Sequence, residues 1–395
     1  MTTAPGRTAR PGAAAGPGPT ARPRHLQVYR DLRTAHLERA LSLPPADLLY
    51  LRTRYDFDPT LAARVPHARV GLAGAVAHVL RHGYASVEVN EPAALESARL
   101  AGLVVVAVRL RDALTGRRTA VVTYAIGNVD PRTVPAPHGW WPRLGRRLDL
   151  ALARWAWRRC DRVVLGTDAA GELYPAAFGP PGRRAHTRTV LALPSPCTCP
   201  GGRAKAERSL LFVGDLSPRK GFDHVLAAWP VVRERHDDAR LVVVGRGELT
   251  GRAAALAAAD DRVTFLPDPA RDVVHRELDR ACVLVLPSQR HGAWREQVGL
   301  PVVEGLAHGC TVVTTDETGL AAWLSAHGHR VVPAARTASD LPGALVGALA
   351  VPLRPGVVLG ALPAHDARLA AGRWLRDGGT PGGAGEPPRR RVQPG

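Results

Sequence analysis

The stretch that decides the fold is RHGAWREQVGLPVVEGLAHG, residues 290–309. It follows the apolar run at residues 283–286, which predicts a buried strand. Helical periodicity begins at Pro301 and ends at a glycine, the usual residue just past a helix end. Glu296 is therefore predicted on the loop at the carboxyl end of a strand, where parallel α/β sheets bind their ligands.

The turn at Gly299 and Leu300 leads into the amino terminus of that helix. Such a terminus offers unpaired amide hydrogens and a partial positive charge, which suit a phosphate group. Glu296 precedes the turn and Glu304 lies one helical turn beyond it. A glutamate pair at this separation is common on solvated helix faces, so its meaning depends on the motifs that accompany it.

Length, hydrophobic content and net charge limit the classes of protein to which the chain can belong. The chain has 395 residues, 45% of them hydrophobic, which suits two domains of ordinary size. The formal net charge is +18, but the arginines are spread along the whole chain rather than gathered in one basic patch. We therefore expect no nucleic-acid partner, and favour attraction to an anionic membrane surface. No apolar run approaches the ~20 residues that cross a bilayer.

Strand and helix signals alternate in two series, which predicts two doubly wound α/β domains with parallel sheets. The predicted strands of the first series are residues 26–29, 47–52, 86–90, 103–108, 119–126, 162–166 and 189–193. Those of the second are residues 209–214, 240–245, 263–266, 282–286, 311–314 and 330–332. A ligand is expected in the cleft between the domains.

The chain divides into six predicted segments. They are a basic disordered tail (1–24), a first Rossmann-like domain (25–193), a Pro- and Gly-rich linker (194–206), a second Rossmann-like domain (207–350), a segment that can end in a closing helix (351–377), and a disordered tail (378–395). Cys197 and Cys199 lie in the linker, at a spacing that does not match a zinc motif. We expect reduced thiols there and no bound metal.

A second motif lies at residues 212–222, FVGDLSPRKGF. It predicts a strand, a glycine turn at Gly214, and a helix with Arg219 and Lys220 close to its start. Two cations beside free backbone amides favour binding of a diphosphate.

Four motifs in order resemble the retaining glycosyltransferases of the GT-B fold, within family 4, the glycosyl transferases group 1. They are Phe-Val-Gly at 212–214, Lys-Gly at 220–221, Pro-Ser at 287–288, and the glutamates at 296 and 304 around Gly-Leu-Pro at 299–301. The resemblance is specific over residues 209–333. In the amino-terminal half only the order of strands and helices agrees.

The resemblance implies a site for a nucleotide diphosphate-sugar, with Glu304 on the ribose hydroxyls and Glu296 on the sugar. Lys220 neutralises the departing diphosphate, so Glu296 and Lys220 are the expected catalytic residues. The expected donor-binding residues are Gly214, Arg219, Lys220, Glu296, Gly299, Leu300, Pro301, Val302 and Glu304. Pro301 has no amide hydrogen to give, so its neighbours supply the backbone donors.

One position departs from the family pattern. The usual Gly-Arg-Leu is Gly-Asp-Leu here, with Asp215 where a phosphate-binding arginine is expected. Arg219 is the candidate replacement. The resemblance implies no metal and no cofactor beyond the nucleotide-sugar co-substrate.

The acceptor is expected on loops of the first domain, and Glu91, Asn128 and Asp130 are the candidate contacts. Asn128 and Asp130 equally suit capping of their own loop. The histidine that the family often carries near this strand is absent from the loop, so no catalytic group is assigned there. Trp140 and Trp141, near several arginines, suit an apolar acceptor or a membrane surface, and equally suit ordinary packing of the helix predicted from Leu148.

The sequence thus predicts a cytoplasmic retaining glycosyltransferase that acts on a lipid, polysaccharide or small natural-product hydroxyl, peripheral at the inner membrane face. Two alternatives stay open. One is a nucleotide-sugar 2-epimerase, which shares the fold and cleft. The other is a non-catalytic sugar-nucleotide-binding or membrane-surface protein, suggested by Asp215 and the weak match of the first half.

Overall fold

The computed structural model describes residues 25–54, 57–92, 94–134, 138–199 and 205–378. The tails predicted at 1–24 and 378–395 lie outside this part of the chain, except for Gly378. Residues 200–204 of the predicted linker lie outside it as well.

The first sheet contains seven parallel strands in the described residues, in the order β3-β2-β1-β4-β5-β6-β7. The strands are β1 (His25–Leu32), β2 (Ala46–Thr53), β3 (His67–Arg69), β4 (Ser86–Val89), β5 (Ala120–Ala125), β6 (Arg162–Leu165) and β7 (His186–Thr189). The helices around it are α1 (Thr34–Leu41), α2 (Pro59–Ala62), α3 (Leu72–Arg81), α4 (Leu95–Thr115), α5 (Trp140–Trp157) and α6 (Asp168–Phe178).

The second sheet contains six parallel strands in the described residues, in the order β10-β9-β8-β11-β12-β13. The strands are β8 (Ser209–Val213), β9 (Arg240–Val244), β10 (Val263–Leu266), β11 (Val283–Leu286), β12 (Thr311–Thr315) and β13 (Arg330–Val332). The helices that follow along the chain are α7 (Phe222–Arg235), α8 (Thr250–Ala259), α9 (Arg271–Arg280), α10 (Leu300–Ala307), α11 (Ala321–Ala326), α12 (Thr337–Ala350), α13 (Pro355–Gly360) and α14 (Ala367–Asp377).

Both sheets reverse their strand order once, between β1 and β4 in the first and between β8 and β11 in the second. Connections leave the two strands at such a point in opposite directions, which opens a crevice at the carboxyl edge of the sheet. The predicted architecture of two Rossmann-like sheets is confirmed. The crevice of the second sheet is bordered by the loops after β8 and β11.

Apolar side chains on both faces of each sheet form the cores. Phe212, Phe222 and Trp229 are fully buried in the second, and Trp157 and Tyr174 in the first. Continuous apolar strands such as β11 are buried along their whole length, as expected for parallel strands covered on both sides. None of the described helices is long and apolar enough to span a membrane.

The strand predicted at 103–108 is wrong, because these residues lie inside α4. Val104, Val105 and Val108 are buried while Leu103 and Val106 are exposed. This burial follows helical spacing. Packing of α4 against α3 and α5 overrides the β propensity of the valines. The strand predicted at 189–193 is displaced to β7, where Thr189 pairs with Leu165 of β6.

The helix predicted to carry Lys220 begins later than expected. Arg219 and Lys220 lie in the 3₁₀ turn Pro218–Lys220, and α7 starts only after Gly221. Gly221 has a φ of 71°, and a Cβ there would lie 2.0 Å from the Pro287 carbonyl oxygen. Glycine is therefore required where the loop after β8 crosses the loop after β11.

The last described helix, α14, returns to the first sheet. Ala371, Trp374 and Leu375 pack with Val122 and Val164 in one apolar cluster. The Arg162 Nε donates to the Leu375 carbonyl at 2.8 Å. Helix α14 thus packs on the first domain although it follows the second domain in sequence.

A buried asparagine joins the two domains. The side-chain amide of Asn128, on the loop after β5, donates to the carbonyls of Glu296 at 2.7 Å and Glu317 at 2.9 Å. Arg295 returns a hydrogen bond of 3.2 Å to the Asn128 carbonyl and pairs with the Glu317 carboxylate. The first domain therefore holds the backbone of the loop that carries Glu296.

We predict that Asn128→Ala loosens this contact. Losing two hydrogen bonds removes about 2 kcal/mol of interdomain stabilisation, at about 1 kcal/mol each. Small-angle scattering of the ligand-free protein should show a larger radius of gyration. The control is Asp130→Ala, whose carboxylate pairs with Arg132 within the first domain. Scattering from Asn128→Ala that superimposes on the native curve would contradict the assignment.

Candidate functional site

An ion pair occupies the crevice of the second sheet. The Lys220 ammonium, from the loop after β8, donates to Oε2 of Glu296, from the loop after β11. The Ser288 hydroxyl donates to the same carboxylate oxygen at 3.0 Å. The two side chains are only 12% and 10% exposed, so water screens their attraction weakly. The structure thus brings together the two residues that the sequence predicts to be catalytic.

Trp294 lies beside this pair, although the sequence reasoning did not use it. Its ring faces the Lys220 ammonium at 5.1 Å and the Arg219 guanidinium at 4.9 Å. Both distances suit cation–π contact. Trp294 lies two residues after Gly292 and two before Glu296, so its position in the sequence was a usable signal.

Arg219 is tied to Asp215, the residue that departs from the family pattern. The guanidinium donates to the Asp215 carboxylate at 2.7 Å, and the Ser217 hydroxyl donates to the same oxygen at 2.8 Å. Asp215 therefore offsets part of the Arg219 charge. The role of Arg219 as a phosphate-binding substitute stays a prediction.

Gly214 lies where the turn after β8 meets the turn after β9. Its amide donates to the Val244 carbonyl at 3.0 Å. A Cβ at Gly245 would lie 1.9 Å from the Gly214 carbonyl oxygen, so the two glycine turns pack backbone to backbone. This close approach keeps the floor of the crevice free of side chains.

Helix α10 begins at the same edge. Gly299, with a φ of 82°, is its amino-terminal cap, and Leu300 is its first residue. The first turn of an α-helix leaves its amides without partners inside the helix, which makes the backbone of Leu300 and Val302 available to an anion. Pro301 and Val302 have buried side chains, and Pro301 has no amide hydrogen, so of these two residues only Val302 offers a backbone donor.

Glu304 lies one turn into α10 and contacts Arg271, the first residue of α9. The glutamate side chain is 11% exposed and the arginine 61%. Sequence reasoning missed Arg271, because the two residues are 33 positions apart in the chain. Their contact joins the starts of two neighbouring helices at the carboxyl edge of the sheet.

The three candidate acceptor residues of the first domain are engaged within the protein. The Glu91 carboxylate accepts from the amides of Ile126 at 2.7 Å and Gly127 at 3.1 Å, and also from the Tyr174 hydroxyl. Burial raises the pKa of Glu91 despite these donors. Its contacts shape the loop after β5, so a direct acceptor role stays a prediction.

Asp130 and Asn128 follow on the same loop. A hydrogen bond from the Arg132 side chain lowers the pKa of the Asp130 carboxyl, which also accepts from the Arg132 amide at 2.8 Å. The side-chain amide of Asn128 donates both of its hydrogen bonds to the second domain. The loop is thereby fixed at the domain interface, and acceptor binding by either residue stays a prediction.

A separate cavity opens at the opposite edge of the first sheet. It is lined by the first residues of four strands, His25, Ala120, Arg162 and His186. It therefore lies at the amino ends of the strands, away from the crevice that holds Lys220 and Glu296. We assign the candidate site to the crevice, because its charged groups converge at a switch point.

Known proteins are similar to this chain in sequence and in fold. Residues 207–350 match the family model of the glycosyl transferases group 1. An uncharacterised glycosyltransferase of Haemophilus influenzae is 31% identical over 176 residues, which are 43% of this chain and 46% of that protein. A GDP-mannose-dependent alpha-(1-6)-phosphatidylinositol monomannoside mannosyltransferase of Mycobacterium tuberculosis is 33% identical over 116 residues, 28% of this chain and 30% of that protein.

The chain spans less than half the length of the curated relatives it matches. Over the whole fold it is similar to the solved structure of Anabaena HepE in complex with UDP, with a TM-score of 0.61 at 14% identity. That match covers 89% of this chain and 95% of the other. The chain therefore has the GT-B fold, and residues 207–350 are similar to the glycosyl transferases group 1.

Proposed function

We propose that the chain transfers a sugar from a nucleotide diphosphate-sugar to a hydroxyl acceptor with retention of configuration. The observation that carries the proposal is the buried contact of Lys220, Glu296 and Ser288 at the switch point of the second sheet. A cation and a carboxylate at one crevice match the two halves of such a donor. The cation suits the diphosphate, and the carboxylate suits the sugar hydroxyls.

Donor binding then rearranges the ion pair. The diphosphate carries more negative charge than Glu296, so it competes for the Lys220 ammonium. Glu296 is left with the Ser288 hydroxyl and turns its free oxygen to the sugar. In the ligand-free protein, the ion pair thus keeps Lys220 and Glu296 in place. When the diphosphate replaces Glu296 as the partner of Lys220, Glu296 becomes available to the sugar, so phosphate binding is coupled to sugar binding.

Helix α10 serves the rest of the donor in this proposal. The amides of Gly299, Leu300 and Val302 donate to the phosphates and sugar, and Glu304 accepts from the ribose hydroxyls. Without donor, the Glu304 carboxylate contacts Arg271. When the donor binds, Glu304 either keeps Arg271 and also accepts from the ribose hydroxyls, or leaves Arg271 as Glu296 leaves Lys220. Relatives whose names specify GDP-mannose, and a neighbour solved with UDP, support a nucleotide diphosphate donor.

The transfer step needs no side chain as a base. The bond from the anomeric carbon to the diphosphate oxygen breaks, and the acceptor oxygen bonds to that carbon on the same face. The acceptor proton passes to the departing diphosphate oxygen. Lys220 stabilises the negative charge that develops there, where a preorganised cation is most effective. We propose that this chemistry requires no metal.

Two substitutions test the donor site. Glu296→Gln should lower transfer about 100-fold or more, the scale for losing one transition-state contact. Lys220→Ala should weaken binding of the nucleoside diphosphate about 10- to 100-fold, since a charged hydrogen bond contributes about 1.5–3 kcal/mol. Transfer is measured by mass spectrometry with UDP- and GDP-sugars, and binding by calorimetry with UDP and GDP.

Matched controls lie in the last turn of α7, at the opposite end of the helix from Gly221 and Lys220. Glu234→Gln and Arg235→Ala remove the same charges from exposed positions and should leave transfer and affinity unchanged. Near-native transfer by Glu296→Gln would remove Glu296 from the reaction. Interconversion of the sugar without an acceptor would favour an epimerase, and binding without turnover a non-catalytic protein.

We further propose that the first domain meets an anionic membrane through α5. Four apolar residues of this helix are exposed: Trp140 by 64%, Trp141 by 66%, Leu144 by 41% and Leu148 by 61%. The two tryptophan rings stack at 3.6 Å. Because Trp140, Leu144 and Leu148 are four residues apart, they share one helix face.

Cations flank that face. Arg143 and Arg147 are exposed, whereas Arg146 donates to the carbonyls of Pro131 and Arg132 and holds the neighbouring loop. Apolar residues beside arginines suit the boundary between headgroups and acyl chains of anionic lipid. The name of the mycobacterial relative, which specifies a phosphatidylinositol mannoside, favours a lipid acceptor for this chain too.

Vesicle binding tests the surface. The Trp140→Ala, Trp141→Ala double variant should bind phosphatidylglycerol vesicles about 10-fold or more weakly, since burying one large side chain contributes about 1.5–3 kcal/mol. Co-sedimentation measures the bound fraction, with phosphatidylcholine vesicles for comparison. Val351→Ala, at a residue 76% exposed in the carboxyl-terminal half, is the control and should not change binding. Equal binding by the double variant would exclude α5.

A further inference from the structure

Four side chains of types that bind metals lie close together where the linker meets α9 and the end of α10. We name Cys197, Cys199, His275 and His308 the Cys–His cluster. Cys197 Sγ lies 4.0 Å from His275 Nδ1, and Cys199 Sγ lies 3.9 Å from His308 Nε2. The two ring nitrogens are 3.0 Å apart, and the four ligand atoms all lie within 4.8 Å of one another.

We propose that the Cys–His cluster binds one structural zinc ion. Two thiolates and two imidazoles form a ligand set that zinc prefers. A tetrahedral zinc with bonds of about 2.3 Å to sulfur and 2.0 Å to nitrogen separates its ligands by roughly 3.3–3.8 Å. The observed distances between sulfur and nitrogen, and between the nitrogens, lie within a few tenths of an ångström of that range.

Neighbouring groups orient the ligands. His308 Nδ1 donates to the Asp279 carboxylate at 2.6 Å, which leaves the Nε2 lone pair directed at the centre of the cluster. A carboxylate behind a histidine in this way is common at zinc sites. The Cys199 amide donates to Cys197 Sγ at 3.4 Å, so the backbone holds that sulfur in place.

A disulfide is the competing state, because the two sulfurs also lie in bonding contact with each other. Disulfide sulfur is a weak hydrogen-bond acceptor, so a disulfide would form only weak hydrogen bonds with the imidazoles that face it. A zinc ion gives all four converging atoms a partner at once. Binding releases the two thiol protons to solvent, and no electrons are transferred.

The cluster also explains how the linker is attached. His275 follows Arg271 by one turn on α9, and His308, just past the end of α10, follows Glu304 by the same number of residues, so the cluster lies about 6 Å beyond the Arg271–Glu304 contact. The Cys197 amide donates to the Ala307 carbonyl at 2.8 Å, at the end of α10. Zinc would clamp the linker to both helices. This inference does not depend on the proposed reaction.

Metal analysis of the full chain tests the proposal. The protein is purified under reducing conditions without chelator, and its metals are counted by plasma mass spectrometry. We expect about one zinc per chain, as one four-ligand site requires. The Cys197→Ser, Cys199→Ser double variant and His275→Ala should lose it. The controls Cys160→Ala and His365→Ala change a cysteine and a histidine outside the cluster and should retain it.

Two further measurements cover variants that fail to fold. Cobalt in place of zinc in the native chain should show thiolate-to-metal charge-transfer absorption. Asp279→Asn leaves all four ligands and should weaken zinc affinity about 10- to 100-fold. Three results would overturn the proposal: a native chain that takes up no zinc after reduction, zinc retained by the double variant, or cobalt absorption without a thiolate band.

Discussion

The Lys220–Glu296 ion pair is the interaction on which the site depends. It joins the loops after β8 and β11 across the switch point of the second sheet, in a crevice where both side chains are nearly buried. An ion pair in such a place offsets the cost of desolvating two charges only when its geometry is held. The Ser288 hydroxyl and the backbone contact between Gly221 and Pro287 hold it.

The first domain completes this arrangement from the other side of the cleft. The Asn128 side-chain amide donates to the carbonyl of Glu296 itself, so the position of the Glu296 carboxylate depends on how the two domains meet. The Glu91 carboxylate in turn fixes the loop before Asn128, because it accepts hydrogen bonds from the backbone amides of Ile126 and Gly127. Asn128 and Glu91 thus link the first domain to the candidate site, a role that sequence alone does not indicate.

Sequence reasoning succeeded where the signal is local. The strands and helices of the second sheet follow from periodicity, and the placement of Glu296 and Lys220 at one crevice follows from strand order. It failed at α4, whose valines have strand propensity but pack with helical spacing between α3 and α5. It also missed the Arg271–Glu304 contact and the Cys–His cluster, because these join residues that only the tertiary fold brings together.

We propose that a nucleoside diphosphate binds at the switch point of the second sheet and displaces Glu296 from Lys220. Hydrogen–deuterium exchange with and without UDP or GDP would detect this binding. We expect slower exchange at the loops after β8 and β11 and at the first turn of α10, with no comparable change at the amino edge of the first sheet. Protection confined to the cavity at that amino edge, or none in either loop with nucleotide bound, would contradict it.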